Sequence, residues 1–201
     1  MNSGFSLRLD RLRTTFTALL STCLLTSALA QECEVKIGVA GPMAGGASAF
    51  GLAVKAGAEF EAAYANESGG LAMGNRKCKV MIYPFDAMYT AAGGAAASNY
   101  FTSENIHVVV GPIGSPETTG FRPVAKRNGQ INFSHSYMRD VISPEFPLAF
   151  HSLQAPVTWG PVLIKEAKGR FKFNSIIVIG PNDQGGTDRA ALFGSRGKRY
   201  D

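Results

Sequence analysis

The stretch "VKIGVAGPMAGGASAFG", residues 35–51, decides how this chain is read. Six mostly apolar residues lead into a glycine-rich turn, and the turn leads into a segment with helical spacing. That order is strand, turn, helix, the opening unit of an α/β sheet. It raises the question of what the turn holds. A dinucleotide site needs G-x-G-x-x-G directly after the strand. Here Gly38, Gly41, Gly45 and Gly46 give G-x-x-G-x-x-x-G-G, with Gly38 inside the strand, so that fingerprint fails. No G-x-x-x-x-G-K-[ST] phosphate loop is present either. Asp86, after the second predicted strand, reads as a strand-end turn residue rather than a ribose ligand.

The same alternation continues along the chain. Short apolar runs occur at 35–40, 79–85, 106–111, 131–134 and 175–180. Segments of helical spacing lie between them at about 48–66, 89–104, 116–128 and 156–169. Val/Ile-rich strands joined by helices predict a parallel, doubly wound sheet covered on both faces. The first helix is expected to bury Phe50, Val54, Ala58 and Phe60 and to stop at Gly69-Gly70. In the alanine-rich second helix, Gly93 and Gly94 weaken the helix by roughly 1 kcal/mol each relative to Ala, and close packing is the expected reason for them. There is no internal repeat.

Three strand ends carry short loops rich in Gly, Ser and Thr, at 41–48, 112–118 and 134–138. In an open parallel sheet these ends share one rim, and ligands bind in the crevice outside it. The loops hold no nucleophile–base pair and no paired carboxylates. They offer hydroxyls and backbone N–H groups, which suit a carboxylate or amide solute, and a helix N-terminus favours an anion. Ser115, followed by Pro116, is both a candidate ligand group and a candidate helix N-cap. Of the histidines, His107 and His151 read as structural, and lone His135, in a candidate loop, does not make a metal site. Trp159 is expected to pack a helix rather than line the crevice.

Charge and export signals narrow the function. The net charge is +5, with 20 basic and 15 acidic residues. Residues 1–30 resemble a secretory signal: three arginines precede an apolar run that ends in "ALA" before Gln31. Cleavage after Ala30 leaves 17 basic against 14 acidic residues, too weak and scattered to suggest nucleic acid. No run reaches the roughly 20 residues of a membrane span, so a periplasmic location without stable membrane insertion is expected. Export removes Cys23 and leaves Cys33 and Cys78, each two residues before a strand. If those strands are parallel neighbours, a Cys33–Cys78 disulfide is geometrically open to them in an oxidising compartment; two unpaired thiols are the alternative. Two cysteines without nearby partners do not suggest zinc.

Taken together, "IGVAGPMAGGASAFG", "GGLAMGNRKCKVMIYPFDA", "VVVGPIGSPETTGFRPVAKRNGQINFSHS" and "FNSIIVIGPNDQGGTD" resemble the branched-chain amino-acid type of ABC-transporter solute-binding protein, the type I periplasmic-binding fold. The resemblance spans nearly all of 34–188. It implies two α/β lobes around a hinge, a small polar solute trapped between them, an ABC permease as partner, no cofactor and no catalysis. It also implies that Ser115 binds the solute carboxylate. Ser136, Tyr137 and Met138 stand where the loop after the fourth strand contributes, although Met138 carries no hydroxyl. Ala47 and Ser48 close the first loop. An aromatic residue usual in the second lobe is replaced by glycine at Gly185 or Gly186.

The expected organisation is a signal peptide at 1–30, an incomplete first lobe at 31–152, the start of a second lobe at 153–188 and an off-pattern tail at 189–201. Family members run longer, so a truncated form with weak or no binding is expected. A sensory ligand-binding domain of the same fold is the alternative function, and a secreted Rossmann-like enzyme is a more distant one.

Overall fold

The computed structural model describes residues 33–197. The expected signal segment and Cys23 lie outside the described residues. The chain divides after Cys33, and the unit that begins at Glu34 carries the fold.

The first strand, β1 (Glu34–Gly41), runs into the glycine-rich turn and then into helix α1 (Ser48–Glu67). A hairpin follows, β2 (Leu71–Met73) and β3 (Arg76–Asp86). The chain continues through α2 (Ala91–Ser103), β4 (Val108–Ile113), α3 (Ser115–Arg127) and β5 (Ile131–His135). It ends with β6 (Ala149–His151), α4 (Pro156–Phe171) and α5 (Gln184–Gly197). The sheet order is β2-β3-β1-β4-β5-β6. Only β2 is antiparallel, so the expected parallel, doubly wound sheet is present. The short strands β2 and β6 were not legible as apolar runs.

The right-handed rule for parallel crossovers puts α1 on one face, and helices α2 and α3 pack together on the other. The core fills the second face: Phe101, Ile106, Val109 and Phe121 are fully buried, with Ala40, Ala97 and Ala125 between them. Small residues bring α2 and α3 together. A Cβ added at Gly94 would lie 2.1 Å from the carbonyl oxygen of Glu117, so the close-packing reading of Gly93-Gly94 holds.

Two expectations are corrected. On α1 the buried positions are Gly51 and Ala62, with Val54 and Ala58 half-buried, while Phe50 and Phe60 are exposed. A helix that approaches the sheet through small residues leaves no depth for phenyl rings. The run 175–180 is not a strand: no described strand hydrogen-bonds to it, and Ile177 and Ile179 are 86% and 92% exposed. Helix α5 runs through the segment from 189 as far as Gly197.

The register of β1 on β3 pairs Glu34 with Lys79, which places Cys33 opposite Cys78 one step earlier. The two form a disulfide. Beyond Cys78 the outer edge of β3 leaves β2, and Asn66 at the end of α1 takes over. Its side-chain amide donates to the Val80 carbonyl at 2.9 Å and accepts from the Val80 N–H at 2.7 Å. Trp159 packs on Phe193 at 6.1 Å between ring centroids, a helix contact between α4 and α5 as expected.

Candidate functional site

Strands β1 and β4 are neighbours whose onward connections diverge, toward β3 from one and toward β5 from the other. Their carboxyl ends therefore open a crevice. A cavity of about 200 Å³ sits there. Its walls come from Gly46, Ala47 and Phe50 after β1, Ile113, Gly114 and Ser115 after β4, and His135, Ser136 and Tyr137 after β5. The three loops singled out in the sequence thus converge. A fourth strand end contributes as well: Tyr89 follows β3. The far wall is Asp183 and Arg189, at the start of α5.

Ser115 is the first residue of α3 and not its cap. Gly114 occupies the N-cap with φ 88° and no side-chain cap bond. The Ser115 hydroxyl lies 3.2 Å from the Ser136 hydroxyl, and both are nearly buried at the floor of the cavity. Ser136 Oγ also accepts the N–H of Met138 at 3.3 Å. Two hydroxyls beside a helix N-terminus can donate to an anionic group. The other sequence candidates divide. Ala47 and Tyr137 line the cavity. Ser48 begins α1, where its N–H bonds the Gly45 carbonyl at 3.2 Å, and it is not part of the lining. Met138 turns inward: it is 3% exposed, and its sulfur accepts the Thr119 hydroxyl at 3.7 Å. A long apolar side chain under a polar loop packs beneath it.

His135 lies at the rim, 3.4 Å from the Ser152 hydroxyl; burial, then the neighbouring His151, hold its ring below the usual imidazole range. His151 bonds the Ser136 carbonyl oxygen, which makes it a structural support. Among the described residues, no group of three or more metal-ligating side chains gathers.

The far wall is tied to the first by three contacts. The Tyr89 hydroxyl donates to Asp183 Oδ2 at 3.1 Å. The Arg139 N–H donates to Asp188 Oδ2 at 2.9 Å. The Arg189 guanidinium lies 4.6 Å from the centre of the Tyr137 ring, within cation–π range. Burial and the adjacent Asp183 push the Tyr89 phenol up to about 12, so it remains a donor at neutral pH. Gly185 permits the approach: a Cβ there would sit 2.3 Å from Ser115 Oγ. The resemblance implied an aromatic at the place of Gly185 or Gly186; the rings that line this cavity are those of Phe50, Tyr89 and Tyr137.

Two carboxylates support the loops from below. Asp86 Oδ1 accepts the N–H groups of Met43 and Met88, both at 2.9 Å, which is the strand-end role expected of it. Glu117, fully buried in α3, accepts the Tyr89 N–H at 2.8 Å and the Ile113 N–H at 3.1 Å. Burial pushes its carboxyl up to about 7, against the lowering effect of those two bonds. Sequence reading missed Tyr89, Asp183, Arg189 and Glu117. The loop after β3 was the available signal, since "DAMYT" stands at a strand end like the other three.

The sheet order and the crevice define one lobe of a type I periplasmic-binding fold. Comparison of the sequence with family models matches residues 34–200 to the periplasmic binding protein family, and the chain belongs to that family. The match includes the segment from 189, which was expected to lie off the pattern. No curated protein matches the sequence. Among solved structures, an extracellular ligand-binding receptor from Verminephrobacter eiseniae superposes with a TM-score of 0.74 at 16% identity, over 84% of this chain and 47% of that one. A branched-chain amino acid transporter substrate-binding protein from Streptococcus pneumoniae, in complex with isoleucine, gives 0.67 at 19% identity, over 79% and 46%. A solute-binding protein of an ABC transporter from Rhodopseudomonas palustris, in complex with 3,4-dihydroxybenzoic acid, gives 0.67 at 16%, over 83% and 44%. The chain spans about half the length of the structures it matches. Among the described residues no helix is long and apolar enough to cross a membrane.

Proposed function

We propose that this chain is the solute-binding component of an ABC uptake system, and that its cleft takes a small polar solute bearing a carboxylate, such as an amino acid. Residues 31–152 act as the first lobe, and the segment from 153 begins the second. Ser115 and Ser136 donate to the carboxylate, the backbone of 46–47 and 137 frames it, and closure of the second lobe excludes water around it.

The observation that carries this reading is the pair of hydroxyls 3.2 Å apart at the N-terminus of α3, on the floor of a cavity of about 200 Å³. That volume lies below the roughly 300–1,000 Å³ of drug-sized sites, which favours a small solute. Two structural relatives were solved with a carboxylic acid, isoleucine in one and 3,4-dihydroxybenzoic acid in the other.

NMR titration of the full chain with a panel of amino acids, amides and simple carboxylates tests it. Saturable shifts confined to 46–47, 113–115 and 135–137 are expected, weakened roughly ten- to a hundred-fold by Ser115→Ala, since a hydrogen bond to a charged group contributes about 1.5–3 kcal/mol. Equal affinity in Ser115→Ala, or shifts elsewhere, would overturn it.

A further inference from the structure

We propose that Glu117 is the positioning residue of this cleft: one buried carboxylate accepts the N–H of Tyr89 and the N–H of Ile113 together, and so sets the spacing of two of the loops that form the walls. The inference rests on the cleft being the solute site. The loop after β4 starts from Ile113, which pairs with His135, and from the Gly114 N–H bonded to the His135 carbonyl at 2.8 Å, but the loop after β3 has no such sheet contact at Met88 and Tyr89. Met88 and Tyr89 are consecutive non-glycine residues in the left-handed region, with φ of 53° and 55°. Such a pair is unfavourable by roughly 1–2 kcal/mol per residue and persists only when surrounding groups fix it. Asp86 fixes the first N–H and Glu117 the second. The other oxygen of Glu117 reaches Ile113, immediately before Gly114 and Ser115. The loop that carries Tyr89 onward to Asp183 and the loop that presents Ser115 are therefore both held by the same side chain.

The need is for a charged acceptor of this shape. A carboxylate offers acceptors at both oxygens, whereas the amide of Gln offers one acceptor and one donor, so one of the two N–H groups must face an NH₂. Protonation weakens the arrangement in a similar way by turning one oxygen into a hydroxyl. The groups facing Glu117 are few. The end of β3 brings Asp86, whose charge opposes ionisation. The loop after it brings Tyr89. Helix α2, packed on α3 at Gly94, offers only Tyr100, whose ring packs at a tilt against Phe85 and Phe101. Strand β4 has no titratable side chain, and on α3 itself Arg122 is directed to Asp140.

The test is NMR on the full, isotope-labelled chain, and it needs no solute. In the wild type the amide signals of Tyr89 and Ile113 should titrate together with a midpoint near pH 7. In Asp86→Asn, which keeps Oδ1 as an acceptor and removes the like charge, that shared midpoint should fall. In Glu117→Gln the titration should vanish. Hydrogen exchange at one or both amides should rise about ten-fold or more, as for a lost bond of roughly 1.4 kcal/mol, while Val39 and Val109 in the core keep their protection. Independent or absent titration of the two amides in the wild type overturns the proposal, even if Glu117→Gln does not fold. So does uniform loss of protection in Glu117→Gln, which would mark a purely structural residue. A chain that shows the shared titration and binds no member of the solute panel would refute the functional reading and leave this spacing role standing.

Discussion

Two stretches of similar apolar character meet opposite fates in this molecule. "VKIGVA" becomes the centre of β1, paired on both edges, with Val39 and Ala40 fully buried. "SIIVIG", at 175–180, has a stronger strand composition, yet it lies exposed with no strand beside it among the described residues. Strand character in sequence is a fit to a pleated, half-buried surface and not a property of the backbone by itself. The first stretch has neighbours on each side to supply that surface, and the second has none.

The contrast can be broken or sharpened by measurement. The largest effect should come from the covalent link at the start of the paired region. Closing the loop from Cys33 to Cys78 stabilises by about 4 kcal/mol in the chain-entropy model. Paired Cys33→Ser and Cys78→Ser replacement, or reduction, should lower urea stability by about that amount and leave the exposure of 175–180 unchanged; an unaltered midpoint would mean that the sheet holds this register without the bond.

A matched pair of isoleucines comes next. Ile106, fully buried, should lose about 2–5 kcal/mol on replacement by Ala, because a cavity remains. Ile179→Ala, at 92% exposed, should stay within about 0.5 kcal/mol. Comparable losses at both sites would show that 175–180 is covered in solution. The smallest of the main effects is expected at the α2–α3 contact. Gly94→Ala improves helix propensity by about 1 kcal/mol, but its methyl meets the Glu117 carbonyl. A net loss of about 1–3 kcal/mol in thermal or denaturant unfolding is expected, as for overpacking; a gain would place the helices farther apart than described.

The same contrast explains what was legible in the sequence. Runs such as "VVVG" and the spacing of α2 and α3 were readable because local pattern and tertiary setting agree there. The converging loops at 41–48, 112–118 and 134–138 followed from strand order alone. Other features depend on what lies across the fold. Phe50 and Phe60 read as a core stripe, since periodicity records which residues share a helix face but not how near the sheet lies. Met138 occupied a site position by loop alignment, yet its side chain has a pocket beneath the loop. Glu117 looked like an ordinary acidic residue in a first helical turn. Its importance comes from two N–H groups, one of them 28 positions distant in sequence, that only the folded chain brings to it.

Asn66 carries a last consequence. With one side-chain amide it imitates the peptide unit of a neighbouring strand, offering a donor and an acceptor to Val80 just beyond the last β2 pair, Leu71 with Cys78. An intruding polypeptide would have to displace both bonds to lengthen the sheet on that side. The border is thus closed by an internal decoy that works beside Lys77, Lys79 and Pro84 of β3, residue types that often guard such borders, and Asn66→Ala would open it further to self-association.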